Sequence, residues 1–240
     1  MKILLLLLVS ISTYLTPQQQ NMIELLKTHI KNKDAEQIIM LINKYPEVLN
    51  ITDENGSSGL LLIAYSGLHE PLEEAIKLKA SFTFHEAIVC GQMNIVNDYL
   101  NNPEVDLKNT HSKDGFSPLS LAAFFDQTEI AKLLIQFGAD PNLSATNPSK
   151  VNALHSAIAK ENYELCKLFI EKGVNVNATQ TQNVTALHSA AHRGNLALVQ
   201  LLVDHNASIN IKMDNGDNAL LIAQREGHSE VADYLKEQGN

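Results

Sequence analysis

The 240 residues, 45% of them apolar, suffice for one large or two ordinary domains with a packed core. Tryptophan is absent and aromatics make up only 5%, so that core must be built from Leu, Ile, Val and Ala. A net charge of −9, with Arg193 and Arg225 the only arginines, argues against nucleic acid, whose phosphates demand a clustered positive field.

The chain opens with Lys2, an apolar run Ile3 to Val9, and then Ser10-Ile-Ser12. That order is signal-like, with cleavage expected after Ser12, and the run is too short for the roughly 20 residues of a membrane span. The alternatives are an extra amphipathic helix on the end of the fold, or a true start at Met22. Residues 1–20 are therefore set apart from a domain at 21–240. The expected location is cytoplasmic, or secreted or periplasmic if residues 1–12 act as a signal. On a secretory route the triplets beginning at Asn50, Asn55, Asn142, Asn177, Asn183 and Asn206 would be glycosylation signals. Most fall at turns, where asparagine is favoured for its local hydrogen bonding, and we read them as turn residues.

The lysine-rich stretch from Asn21 to Tyr45 reads as a helical N-terminal cap. From within this stretch onward the chain repeats itself. Anchors at Leu25, Leu60, Phe84, Leu119, Leu154, Leu187 and Leu220 are separated by 35, 24, 35, 35, 33 and 33 residues. Seven residues after each anchor a first helix should end in a left-handed residue. Those positions hold Asn32, Gly67, Gly91, Asp126, Glu161, Gly194 and Gly227. Glu161 is the poor fit, and Asn162 offers an alternative turn residue. Second helices are expected at Glu129–Ile135, Tyr163–Ile170 and Ala197–Val203, each with an apolar stripe. The last helix, Ser229 to Gln238, carries Glu230, Asp233, Lys236 and Glu237, as a solvent-facing end requires.

Thr185-Ala-Leu-His-Ser-Ala-Ala191 and Asn152-Ala-Leu-His-Ser-Ala-Ile158 resemble the ankyrin repeat signature, as do the fingers Gly138-Ala-Asp-Pro-Asn142 and Gly173-Val-Asn-Val-Asn177. The resemblance covers roughly residues 21–240 and is strongest from Gly115 onward. It implies an all-α ankyrin-repeat solenoid of helix-turn-helix units with short β-hairpin fingers, about seven units including caps. It also implies a non-catalytic scaffold that binds a protein partner, needs no cofactor and is a monomer. After Pro71–Leu78 only Lys79-Ala-Ser81 precedes the next repeat, leaving no room for a finger; a notch or a change of twist is expected there. Ser144 to Lys150, conversely, makes one finger two residues longer than the next two.

Chemistry is sparse. His85, His155 and His188 share one repeat position, so they should lie about 10 Å apart, whereas ligands of one zinc must each lie near 2 Å from it. The resemblance makes them hydrogen-bond bridges between repeats. Cys90 and Cys166 fall two repeats, about 20 Å, apart, too far for a disulfide. No phosphate loop, zinc-ligand cluster or nucleophile turn is present, and an enzyme survives only as an alternative with an unrecognised site.

In ankyrin-type scaffolds partners meet the finger tips and the ends of the first helices, five and six residues after each anchor. Carried over position by position, this gives Tyr65 with Ser66, Val89 with Cys90, Phe124 with Phe125, Ala159 with Lys160, His192 with Arg193, and Arg225 with Glu226. Tyr65, Phe124, Phe125, Lys160, His192, Arg193 and Arg225 are the candidate binding residues on one concave face. Adjacent phenylalanines on a helix point about 100° apart, so the two cannot both be buried in so thin a layer. Exposed aromatics and arginines favour hot spots. The cations at 192, 193 and 225 suggest a partner with an acidic patch beside an apolar anchor.

Overall fold

The computed structural model describes residues 15–102 and 106–239; the signal-like segment lies outside them. The described residues form seven consecutive helix–turn–helix pairs. These are α1 (Pro17–Lys31) with α2 (Ala35–Lys44), α3 (Gly59–Ser66) with α4 (His69–Leu78), α5 (Phe84–Val89) with α6 (Met93–Leu100), and α7 (Pro118–Phe124) with α8 (Thr128–Gln136). They continue as α9 (Ala153–Ala159) with α10 (Tyr163–Glu171), α11 (Ala186–Arg193) with α12 (Leu196–Asp204), and α13 (Ala219–Glu226) with α14 (Ser229–Gln238). The chain divides at Lys79/Ala80 into two compact units. The division falls in Lys79–Thr83, which joins α4 to α5 with no finger, as the 24-residue anchor spacing required.

The capping stretch from Asn21 to Tyr45 is two helices broken near Asn32, as the anchor at Leu25 required, and the first starts earlier, so the boundary drawn after residue 20 falls inside α1. Thr16 caps α1, accepting from the Gln19 N–H while the Gln19 side chain accepts in return, and Pro17 occupies the first turn. The break comes where Lys33 turns left-handed and Asp34 caps α2. In this unit α1 packs on α2 and α3, with Leu26, Ile38, Ile42, Leu60 and Ile63 fully buried. A short 3-10 helix, Pro46–Asn50, lies against α3, and buried Gly59 allows that approach: a Cβ there would strike the Val48 carbonyl.

In the second unit α5, α7, α9, α11 and α13 stack in sequence order. Each starts with a Thr, Ser or Asn whose side chain accepts from a backbone N–H three residues on: Thr83, Ser117, Asn152, Thr185 and Asn218. Ala87, Ala122, Ala123, Ala157, Ala190, Ala191 and Ala223 are all fully buried. Small side chains there let the layers approach while Ile130, Leu134, Leu165, Phe169, Leu198 and Leu202 fill the space under the second helices.

Left-handed residues close the first helices at Gly67, Gly91, Asp126, Glu161, Gly194 and Gly227. Glu161 takes that conformation itself, and Asn162 instead caps α10, accepting from the Leu165 N–H at 2.9 Å. In the first pair the turn residue is Lys33 rather than Asn32, because α1 runs one residue further.

The fingers are short and tightly closed, with an antiparallel bridge between Thr52 and Ser58. Among the described residues one pair of strands forms, β1 (Thr179–Gln180) antiparallel to β2 (Val184–Thr185). Elsewhere finger backbone groups bond both within a finger, as Ser112 N–H to Phe116 O and Met213 N–H to Asp217 O, and to the neighbouring finger. The longer finger is held on both sides: Thr146 N–H donates to Gly115 O at 2.9 Å, Asn147 Nδ2 to Asp114 O at 2.8 Å, and Thr181 N–H to Ser149 O at 3.0 Å.

Turn asparagines extend the same ladder. Asn142 accepts from Asn175 N–H at 2.7 Å and donates to Gly173 O at 3.1 Å. Asn177 repeats this with Ser208 N–H at 2.7 Å and Asn206 O at 3.0 Å. Their side-chain hydrogen bonds therefore run between repeats, while their backbone N–H groups bond within the turn.

Candidate partner-binding face

The recurring histidines are placed by their helices to bridge repeats. His85 Nε2 donates to Thr110 O at 3.0 Å, His155 Nε2 to Ala178 O at 3.1 Å, and His188 Nε2 to Ile211 O at 3.0 Å. Nδ1 of His155 accepts from Asn152 N–H, and Nδ1 of His188 from Thr185 N–H, so these rings are neutral with the proton on Nε2. Burial lowers the pKa of all three, that of His155 to about 4. Ala178 and Ile211 carbonyls lie in the finger after each helix, which explains the spacing of 23 residues from each donor. The described residues hold no group of three His, Cys, Asp or Glu suited to a metal ion. Cys166 is buried and its thiol is pushed up to about 12, which leaves it un-ionised and unreactive.

The helix ends hold the other candidates. Phe124 ends α7 and is 42% exposed, while Phe125, the capping residue, is half-buried. Their rings meet edge to face with centroids 5.3 Å apart. From the end of α9, Lys160 Nζ stands 5.0 Å from the Phe124 ring centroid, a cation–π distance. Phe124, Phe125 and Lys160 thus form one patch across two repeats.

Next to Lys160, Glu161 reaches Arg193 Nη1 at 3.7 Å, and Asn195 Nδ2 donates to Glu161 Oε2 at 2.8 Å. His192 Nδ1 lies 3.6 Å from Glu226 Oε1, and Arg225 bonds both Glu226 and Asp217. Arg225 holds the Asp217 carboxyl below its ordinary range. His192, Arg193 and Arg225, expected to add positive charge to one end, each have a carboxylate beside them.

His192, Arg193 and Arg225 nevertheless converge on one cavity of about 260 Å³, completed by Val184, His188, Ser189, Met213 and Ile222. The apolar wall residues were not among the sequence candidates, because their convergence depends on how finger and helices meet. Tyr65, the last residue but one of α3, belongs to the first compact unit and is half-buried.

The family model for ankyrin repeats (3 copies) matches residues 84–180 and 162–240, which is more than half of the chain. The chain belongs to the ankyrin repeat family. It is also similar to an ankyrin repeat protein of fowlpox virus (strain NVSL), 33% identical over 94 residues. That match covers 38% of this chain and 15% of the viral protein, so the chain spans only a small part of its relative's length. Ankyrin repeats are generally protein–protein interaction modules. No described helix is long and apolar enough to cross a membrane.

Proposed function

We propose that this ankyrin repeat chain is a non-catalytic scaffold that binds a protein partner across the ends of α7, α9, α11 and α13. The observation that carries the reading is the Phe124–Phe125–Lys160 patch. An aromatic ring 42% exposed and braced by a lysine is held ready for contact, so little side-chain freedom is lost when a partner covers it. A buried aromatic with its own polar neighbour is the usual centre of an interface, and the charged row at Glu161, Arg193 and Glu226 suits its rim.

The test is affinity capture from the native host with wild type and with Phe124→Asp/Phe125→Asp, after circular dichroism has shown equal helicity. A protein retained by the wild type and lost by the folded variant supports the reading. Equal retention by both would move the site to the fingers. Turnover of a substrate by the purified chain would overturn the scaffold reading altogether.

A further inference from the structure

The cavity between α11 and α13 has the composition of a second, chemically distinct recognition point. We infer that it receives an acidic side chain of a partner peptide, with a neighbouring apolar side chain against its wall; this rests on the reading of the helix ends as the binding face. The two arginines of the entire chain, Arg193 and Arg225, both line this one cavity. Val184, Met213 and Ile222 supply an apolar wall, and Ser189 and His192 supply polar groups. No acidic side chain lines it.

The carboxylates beside the cations are not part of the lining, although Glu226 reaches both His192 and Arg225. Arg225 is clamped by Asp217 and Glu226, which fixes its guanidinium in place. Arg193 approaches Glu161 only at 3.7 Å, longer than a hydrogen bond, so its donors remain available to a carboxylate arriving from the cavity. A guanidinium presents five N–H donors in a planar fork, and one carboxylate beside it does not use them up. At about 260 Å³ the volume falls below the roughly 300–1,000 Å³ of ligand pockets, which favours one or two peptide side chains over a cofactor.

The experiment is a proton–nitrogen NMR titration of the full chain with a blocked dipeptide, N-acetyl-Glu-Leu-amide, against its Gln-Leu and Lys-Leu counterparts. The expected result is amide shifts at Ser189, Arg193, Met213 and Arg225, with an affinity about tenfold weaker for Gln-Leu and none for Lys-Leu. Arg193→Gln, an exposed change that leaves the clamped Arg225 intact, should abolish the preference for Glu over Gln while the melting temperature stays unchanged. Equal shifts with the Glu and Gln peptides, or shifts confined to other residues, would overturn the inference. The probe does not involve Phe124. Silence here together with Phe-dependent partner capture defeats this inference alone, and pocket shifts with Phe-independent capture defeat the patch and leave the pocket standing.

Discussion

His155 donates its Nε2–H to the carbonyl of Ala178, 3.1 Å away in the next finger, while its Nδ1 accepts the N–H of Asn152. Protonation of Nδ1 would set a second donor against that N–H inside the stack. Burial is the main reason the ring's pKa falls to about 4, despite the favourable bond to Ala178.

Stability should therefore decline in mildly acidic solution. The unfolded imidazole binds its proton near pH 6.5 and the folded one only near pH 4, so the contribution is complete above 6.5 and disappears as pH falls through 4. For His155 the loss is on the order of 3 kcal/mol at the acid end. His85 and His188, also lowered by burial, act in the same direction. Urea midpoints at pH 7, 5.5 and 4.5 should fall in that order, and His155→Gln should flatten the decline.

The left-handed positions that end neighbouring first helices should tolerate a loss of glycine and a gain of glycine differently. At Gly194 the backbone is left-handed and an added Cβ would strike the His228 ring, which itself bonds His192 O at 3.0 Å. Gly194→Ala should cost at least about 1–2 kcal/mol. At Glu161, left-handed with φ 54°, a glycine relieves the backbone while removing exposed bonds to Asn195 and Arg193. Those are each worth under about 1 kcal/mol. Glu161→Gly should leave stability within about 1 kcal/mol of wild type, measured by chemical denaturation.

Gly59 should be the least replaceable glycine of the first unit, although its φ is unremarkable. Its missing Cβ leaves room for the Val48 carbonyl, with Leu26 Cδ2 close behind at 3.2 Å from where a Cβ would stand. Gly59→Ala should destabilise by roughly 2 kcal/mol or more, in the range of overpacked cores. Amide exchange in α1 to α4 should accelerate. No change in protection there would show that the 3-10 helix yields without cost.

Removing the lysine from the aromatic patch should weaken partner capture without unfolding the chain. Lys160→Met keeps much of the stem and deletes the charge 5.0 Å from Phe124, an interaction of about 0.5–1 kcal/mol at an exposed site. A two- to five-fold loss of affinity is expected for whichever partner depends on Phe124. An unchanged affinity would show that the ring acts alone.

The seven-unit register was legible in the sequence because each repeat meets only its neighbours, so a side chain's role recurs at a fixed offset. Leu154 and Leu187, thirty-three residues apart, are both about 1% exposed at the same layer, and the last helix runs over Ser229–Gln238 as its polar face foretold. The shortened linker at Lys79 was equally readable, being a matter of chain length. Packing between elements decided the rest. A sequence pattern names His192, Arg193 and Arg225 as surface cations. It does not show that Glu161, Asp217 and Glu226 lie beside them, nor that Val184, Met213 and Ile222 line a cavity with them. Period determines which residues face outward, whereas angstrom-scale separations between helices and fingers determine which of them meet.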